Sequence, residues 1–220
     1  MENLNFEKVI SSRRSIRNFE SRPIEKEIIN KIIKVATMAP SACNIQGWNF
    51  IVIDEETTKQ KLVDMGSSVI LKNAPVVILV LYDNRTINSE YSDHVQSAAA
   101  AIQNLLLGAT YFGLGSCWIC HLPPKNQLRR ALAIPQTLDP IAYVLLGYKK
   151  NDPAPVSRKY SVADLISYNK FEGKITQGQN RFSILITKVL MKAYYLTPLF
   201  IKRSFLNKFI DKRFIKKFEN

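Results

Sequence analysis

Cysteine and histidine are scarce in this chain, with three cysteines and two histidines among 220 residues. An odd number of cysteines does not supply the paired framework that holds small secreted proteins together. The sequence also lacks a basic and apolar leader with a small-residue cleavage site, because its first residues already have an amphipathic pattern. We therefore expect a protein of the reducing cytoplasm.

Two of the cysteines, Cys117 and Cys120, have the spacing of a disulfide-exchange motif. We expect both to lie inside a buried strand, where burial disfavours the thiolate, rather than at the start of a helix. Inert thiols are the favoured interpretation, and a redox-active pair is the alternative. With His121 the two could also bind zinc, but the fourth ligand could only be Cys43, His94 or a carboxylate, and we expect no metal site.

Motifs of other enzyme classes are missing as well. No GxxxxGK[ST] sequence occurs, and Trp118 stands where a dinucleotide-binding motif that began at Gly113 and Gly115 would need its third glycine. Neither histidine is accompanied by a nucleophile and an evident orienting acid, which argues against acyl transfer.

Charged residues are absent from residues 95–124, which raises the question of a membrane span. A spanning helix needs about 20 predominantly apolar residues. Here the run is interrupted by Gln96, Gln103 and Asn104 and by a Gly-Leu-Gly sequence at 113–115. We therefore predict a core helix that is followed by a buried strand.

The net charge of +13 is unevenly distributed. Residues 174–220 contain eleven Lys and Arg against two acids, whereas residues 1–173 contain twenty against sixteen. The basic excess therefore belongs mainly to the C-terminal part of the chain, and it concerns the partners of that part rather than the fold.

Apolar spacing predicts alternating helices and strands. The helix at 92–112 is apolar on nearly every side, so either its own sheet or a second subunit must cover it. The run at 76–81 is unbroken, as in a strand covered on both faces. We predict an α+β domain over residues 1–170 and a basic extension over 171–220. The predicted helices are 3–11 (with Phe6, Val9 and Ile10 inward), Pro23 to before Pro40, 55–65, 92–112 and one through Leu128 and Leu132; the strands are 48–54, 76–81, 117–121 and 141–147.

Two polar clusters carry the functional signal. Arg13, Arg14, Ser15 and Arg17 place three guanidinium groups and one hydroxyl within five residues, enough to bind a doubly charged phosphate. Taken alone, the same cluster is more typical of a solvated basic turn.

The second cluster lies in an uncharged loop after a helix that ends before Pro40. It offers Ser41, Asn44 and Gln46 before Trp48 begins a strand. Neutral donors and acceptors of this kind suit a polar heteroaromatic ligand better than a metal ion.

Together the two clusters resemble the paired signature of the nitroreductase family of flavoproteins. The resemblance continues through 103–106, 113–119 and 146–148 to Arg158, and spans nearly all of residues 1–160. It implies a nitroreductase-like fold, with a central mixed, mainly antiparallel sheet flanked by helices, and FMN at the interface of a homodimer.

The resemblance also implies roles for particular residues. Basic residues of the first cluster, with Arg158, would hold the FMN phosphate and ribityl chain. The loop after Pro40 would approach the flavin from the partner subunit, and the backbone of 118–120 would lie beside the isoalloxazine ring. The candidate cofactor-binding residues are Arg13, Arg14, Ser15, Arg17, Pro40, Ser41, Asn44, Trp118, Ile119, Cys120 and Arg158.

The chain departs from the family pattern at two positions. Gly47 stands where the family often has proline, and we expect a looser turn there. Val156 stands where a lysine is common, so phosphate binding would depend more on Arg13, Arg17 and Arg158.

The resemblance implies an FMN-dependent oxidoreductase that passes electrons from NADH or NADPH to an electron-poor small molecule, such as a nitroaromatic compound or a quinone. No catalytic side chain is implied, because the cofactor carries the chemistry. The alternative is a non-catalytic protein that docks through its basic tail.

The tail, residues 182–218, interleaves apolar residues with lysines. Its apolar positions drift around a helical wheel, so we predict two short helices packed on the body or on a second subunit. A peripheral membrane or protein contact is the alternative, and nucleic acid is the least favoured partner.

Overall fold

The computed structural model describes residues 5–85, 88, 90–153, 156–172, 185–186 and 188–189. It divides into two units, Met1–Pro153 and Ala154–Asn220. The domain boundary predicted after residue 170 stays a prediction. The tail helices predicted over 182–218 lie outside the described residues, apart from four positions.

The first unit contains five helices and four strands among its described residues. They follow the predicted order, although α2 begins at Lys26 rather than at Pro23. The helices are α1 (Phe6–Ser12), α2 (Lys26–Ala36), α3 (Glu56–Asp64), α4 (Asp93–Tyr111) and α5 (Lys125–Ala131), with short 3₁₀ helices at Ala42–Asn44 and Val69–Asn73. The strands are β1 (Trp48–Ile53), β2 (Val76–Asp83), β3 (Gly115–Ile119) and β4 (Leu138–Gly147).

The four strands form one sheet in the order β1-β2-β4-β3, and every neighbouring pair is antiparallel. A parallel bridge between Ser15 and Ser116 adds the chain before α2 to the outer edge of β3. The predicted α+β fold with a mixed, mainly antiparallel sheet is therefore confirmed.

The sheet separates two apolar cores, because successive side chains of a strand point to opposite faces. On β2, Val77 and Leu79 face the layer formed by α3 and α5, whereas Ile78 and Val80 face α2 and α4. Residues 76–82 of β2 are all buried. This confirms the prediction that the unbroken apolar run is covered on both faces.

Helix α4 is less completely covered than its sequence predicts. One side packs on α2 and the sheet, yet Val95 is 41% exposed and Tyr111 53% exposed along the helix. Burial on every side is therefore not achieved within the first unit.

Among the residues that the structure describes, no helix combines the length and the apolar character needed to cross a membrane.

Helix α1 also differs from its prediction. Val9 is buried, but Phe6 and Ile10, which we expected to face inward, are exposed. They lie one helical turn apart and therefore form a single outward apolar face.

The second unit is described mainly over 156–172 and contains α6 (Val162–Leu165). The helix begins with a capping box, in which Ser161 Oγ accepts a bond from the Asp164 amide and the Asp164 carboxylate accepts one from the Ser161 amide at 3.0 Å. The Ser161 hydroxyl also donates to the Asp164 carboxylate at 2.7 Å, and this bond, together with the one from the Ser161 amide, lowers the pKa of Asp164.

Two buried polar groups are satisfied inside the first unit. The Lys59 ammonium, fully buried on α3, donates to the Ala74 carbonyl at 2.8 Å and pairs with Glu56. The Tyr143 hydroxyl lies 3.3 Å from the Ser67 hydroxyl. Burial raises the pKa of Tyr143 to about 12, although the bond with Ser67 opposes the rise.

Tyr143 should make the protein sensitive to alkali. In the unfolded chain its hydroxyl ionises near the ordinary pKa of 10, whereas in the folded protein it stays protonated until about 12. Its contribution to stability is therefore complete below pH 10 and is lost as the pH rises through 12. Urea unfolding between pH 8 and 11.5 should show a steeper loss of the free energy of unfolding in wild type than in Tyr143→Phe. Equal slopes would contradict this assignment.

Candidate functional site

The basic cluster lies on an extended segment, residues 13–20, that runs across the ends of β3 and β4. The Ile16 amide donates to the Ser116 carbonyl and the Glu20 amide to the Tyr148 carbonyl, each at 2.9 Å. An antiparallel bridge joins Phe19 to Lys149. Backbone hydrogen bonds to β3 and to the residues that follow β4 therefore fix the position of the segment.

The segment brings three of the predicted residues to one place on β3. Burial raises the pKa of the Cys117 thiol, while the charges of Arg17 and Arg13 and a hydrogen bond with Ser15 oppose the rise. The backbone bridge between Ser15 and Ser116 places this part of the segment beside the first half of β3. Arg13, Ser15 and Arg17 thus gather around the first half of β3, with Cys120 near enough to act on the same thiol.

Arg14 is held differently from its neighbours. Its guanidinium donates to the Ser11 carbonyl at 2.7 Å and to the Arg13 carbonyl at 2.8 Å. These carbonyls lie at the C-terminal end of α1, where backbone acceptors lack partners within the helix. The phosphate contact predicted for Arg14 stays a prediction.

The loop after Pro40 is held by its own hydrogen bonds and by α4. Ser41 Oγ accepts from the Gln46 amide at 3.0 Å, and the Gln46 side chain donates to Asn44 Oδ1 at 2.8 Å. The Ala42 amide donates to Ser97 Oγ, on α4, at 3.0 Å.

Three non-glycine residues of this loop have left-handed backbones. The φ angles are +50° at Cys43, +54° at Asn44 and +50° at Gln46. Asparagine tolerates this region, but sparsely populated backbone angles of other residues cost on the order of 1–3 kcal/mol each and are concentrated at functional sites. The structure therefore adds an argument for function that composition alone could not supply.

The turn at Gly47 is tighter than we expected. The Gly47 carbonyl accepts from the Asp83 amide at 2.8 Å. A Cβ at this position would lie 2.8 Å from Asp83 Cβ and 2.9 Å from the ring of Tyr82, which is buried. The predicted loosening is wrong, because close approach to the end of β2 holds the turn.

The residues predicted beside the flavin ring lie at the end of β3. Trp118 and Ile119 are half-buried, and the indole Nε1–H of Trp118 is buried with no partner in the structure. The strand ends at Ile119, and Cys120 is exposed. The expectation that both Cys117 and Cys120 lie inside the buried strand is therefore wrong for Cys120. Arg158 is an exposed residue of the second unit, and its predicted role stays a prediction.

Comparison with known proteins decides the family. The model of the nitroreductase family matches residues 10–67 and 59–148, which include the segment at 13–20, the loop after Pro40 and strand β3. The chain belongs to the nitroreductase family. It is therefore an oxidoreductase, of a family that implies a flavin cofactor and a nicotinamide reductant.

Named relatives agree with this membership. The chain is 39% identical over 149 residues to a protein of Archaeoglobus fulgidus named "Putative NADH dehydrogenase/NAD(P)H nitroreductase", an alignment that covers 66% of this chain and 86% of that protein. It is 28% identical to an NADH dehydrogenase of Thermus thermophilus, over 66% of this chain and 87% of that protein. A crystal structure of a nitroreductase family protein from Clostridium difficile shares 28% identity and superimposes with a TM-score of 0.63, over 76% of this chain and 99% of that one.

Several residues shape this nitroreductase-family site although the sequence pattern assigned them no role in it. Ser97 holds the loop, Asn73 donates to the Arg17 carbonyl at 3.4 Å, and Gly115 and Gly147 lie beneath the segment at 13–20. Only the glycines carried a usable signal, because a glycine inside a strand often marks the close approach of another backbone.

Cys117, within β3, and Cys120, just after it, should differ in reactivity. In flavin-free folded protein, iodoacetamide should alkylate the exposed Cys120 and leave Cys117 unmodified, because burial both shields that thiol and raises its pKa. Peptide mass spectrometry before and after unfolding would measure the two sites, with unfolded protein as the control for intrinsic reactivity. Equal labelling of both cysteines in the folded state would contradict the buried position of Cys117.

Proposed function

We propose that this protein is a cytoplasmic FMN-dependent oxidoreductase. It takes electrons from NADH or NADPH and passes them to an electron-poor small molecule such as a nitroaromatic compound or a quinone. One observation carries the proposal: a hydrogen-bonded segment gathers Arg13, Ser15 and Arg17 at the start of a strand whose far end presents residues 118–120. Family membership supports the same class of reaction.

The chemistry of these donors fits the FMN phosphate. Two guanidinium groups and a hydroxyl provide charge-assisted hydrogen bonds to a dianion, and a guanidinium matches phosphate oxygens in pairs. The segment that carries them is fixed to the sheet by backbone bonds, so little ordering remains to be done on binding. A phosphate held at Arg13 and Arg17 is therefore the central feature of the proposed site.

Bound FMN would supply the capacity to accept and donate a hydride. In the proposal the chain orients that group and tunes it. Strand β3 lies at an edge of the sheet. The segment at 13–20 covers this edge at Ser116, and we propose that the backbone beyond it, towards Trp118, donates N–H groups to the flavin ring. The half-buried Trp118 and Ile119 would shield one end of the ring from water.

We also propose that the working form is a homodimer with flavin at the subunit boundary. The exposed apolar residues of α1 and α4 support this: Phe6 is 76% exposed, and Ile10, Val95 and Tyr111 are exposed as well. Apolar faces of this kind indicate an interaction surface. In the dimer, Pro40, Ser41 and Asn44 would reach the flavin of the partner subunit.

Arg17→Ala should weaken FMN binding by about 1.5–3 kcal/mol, the contribution of a hydrogen bond to a charged group. Purified wild type should be yellow and should bleach when NADH or NADPH is added. Titration of apoprotein with FMN, followed by quenching of flavin fluorescence, would measure the affinity. Arg130→Ala, at an exposed position on α5, is the matched control and should bind FMN as wild type does. Equal affinities of Arg17→Ala and wild type would remove Arg17 from the phosphate site.

The dimer is tested by placing charge on its proposed face. Phe6→Asp combined with Ile10→Asp should convert the dimer into monomers, because carboxylates cannot be buried in an apolar contact without a large desolvation cost. Sedimentation velocity would measure the change, together with the FMN content of each species. Glu7→Gln, which changes a charge at an exposed position of the same helix, should leave the dimer intact. A wild-type protein that sediments as a monomer would refute the homodimer.

A further inference from the structure

Two glycines lie directly opposite each other where β3 and β4 meet the basic segment. Gly115 pairs with Gly147, and each lies beneath an apolar side chain of residues 13–20. A Cβ at Gly115 would lie 2.9 Å from both Cβ and Cγ1 of Ile16 and 3.0 Å from its Cγ2. Real Cβ atoms essentially never come under 3.0 Å, so any side chain at 115 would force Ile16 to move.

Gly115 is needed because it has no side chain, and not because of the backbone angles that glycine allows. Gly115 lies within a regular strand and is not among the positive-φ glycines, so its backbone angles suit any residue. Its lack of a side chain is therefore needed for the contact with Ile16 and not for the path of the strand.

Ile16 has little room to give way. Its side chain is buried in the core between the sheet and the layer of α3 and α5. Its amide donates a hydrogen bond to the Ser116 carbonyl. Ser15 and Arg17 are its immediate neighbours in the chain. A displacement of Ile16 would therefore move both groups that flank it.

We infer that Gly115 is a positioning residue for the phosphate site: by leaving room for Ile16 to lie directly on β3, it sets Ser15 and Arg17 at the place where they bind the phosphate. This inference rests on the proposed function. The inference adds to the proposed phosphate site a residue that touches no ligand and acts through the packing of Ile16.

The test compares FMN with riboflavin, which lacks the phosphate. In Gly115→Ala the Kd for FMN should rise by about tenfold or more, whereas the Kd for riboflavin should change by less than about threefold. The preference for FMN over riboflavin should therefore collapse. Amide hydrogen exchange on flavin-free protein should also show faster exchange at Ile16, because the bond to Ser116 is strained.

A variant that only loses stability is the matched control. Ile32→Ala removes a fully buried side chain on the opposite face of the sheet, so it should lower the unfolding midpoint and leave the FMN preference within about twofold of wild type. If Gly115→Ala does not fold, Ile16→Ala removes the same packing without a clash and should also reduce the preference for FMN.

The outcomes separate the inference from the proposed function. Equal weakening of FMN and riboflavin in Gly115→Ala, or an unchanged preference in that variant or in Ile16→Ala, would show a structural role only and overturn the inference. A wild-type protein without preference for FMN would overturn the phosphate site itself, and the inference with it, before any variant is examined.

Discussion

The backbone hydrogen bonds between residues 15–20 and the ends of β3 and β4 are the interaction on which the candidate site depends. They join the start of the chain to strands about a hundred residues later, and they fix the segment that carries Arg13, Ser15 and Arg17. Burial of Ile16 and Phe19, worth about 1.5–3 kcal/mol for each side chain, strengthens this attachment. The cluster is thereby ordered before an anion arrives, and preorganisation of this kind reduces the cost of binding.

The sheet supplies the rigid frame for this arrangement. Because β2 is apolar on both faces, α3 and α5 pack on one side of the sheet and α2 and α4 on the other. Within the sheet, β4 lies between β2 and β3 and is paired with both. Asp139 adds a polar link at the beginning of β4. Burial alone would raise the pKa of this carboxyl, but hydrogen bonds from Lys125 and Asn84 and the charges of Lys125 and Arg129 outweigh that effect and lower it. The carboxylate therefore ties α5 to the beginning of β4.

The loop after Pro40 follows a different principle. Its left-handed residues are kept in place by contacts on two sides, with Ser97 of α4 binding Ala42 and the end of β2 holding Gly47. Such strain persists only where the surroundings over-determine it. The apolar faces left exposed on α1 and α4 belong to the same unit, and in the proposed dimer a second subunit would complete the site.

The sequence by itself determined the order of the elements and the family. Periodic isoleucines predicted α2, the unbroken apolar run predicted β2, and the two polar clusters were recognisable because each is local in the chain. The tertiary structure decided what depends on contacts between distant residues. It turned Arg14 back on α1, left Cys120 outside β3, packed Gly47 against Tyr82 and placed Ile16 over Gly115. Side-chain periodicity reports which face of an element is buried, but not which distant backbone approaches it, and that approach is what shapes this site.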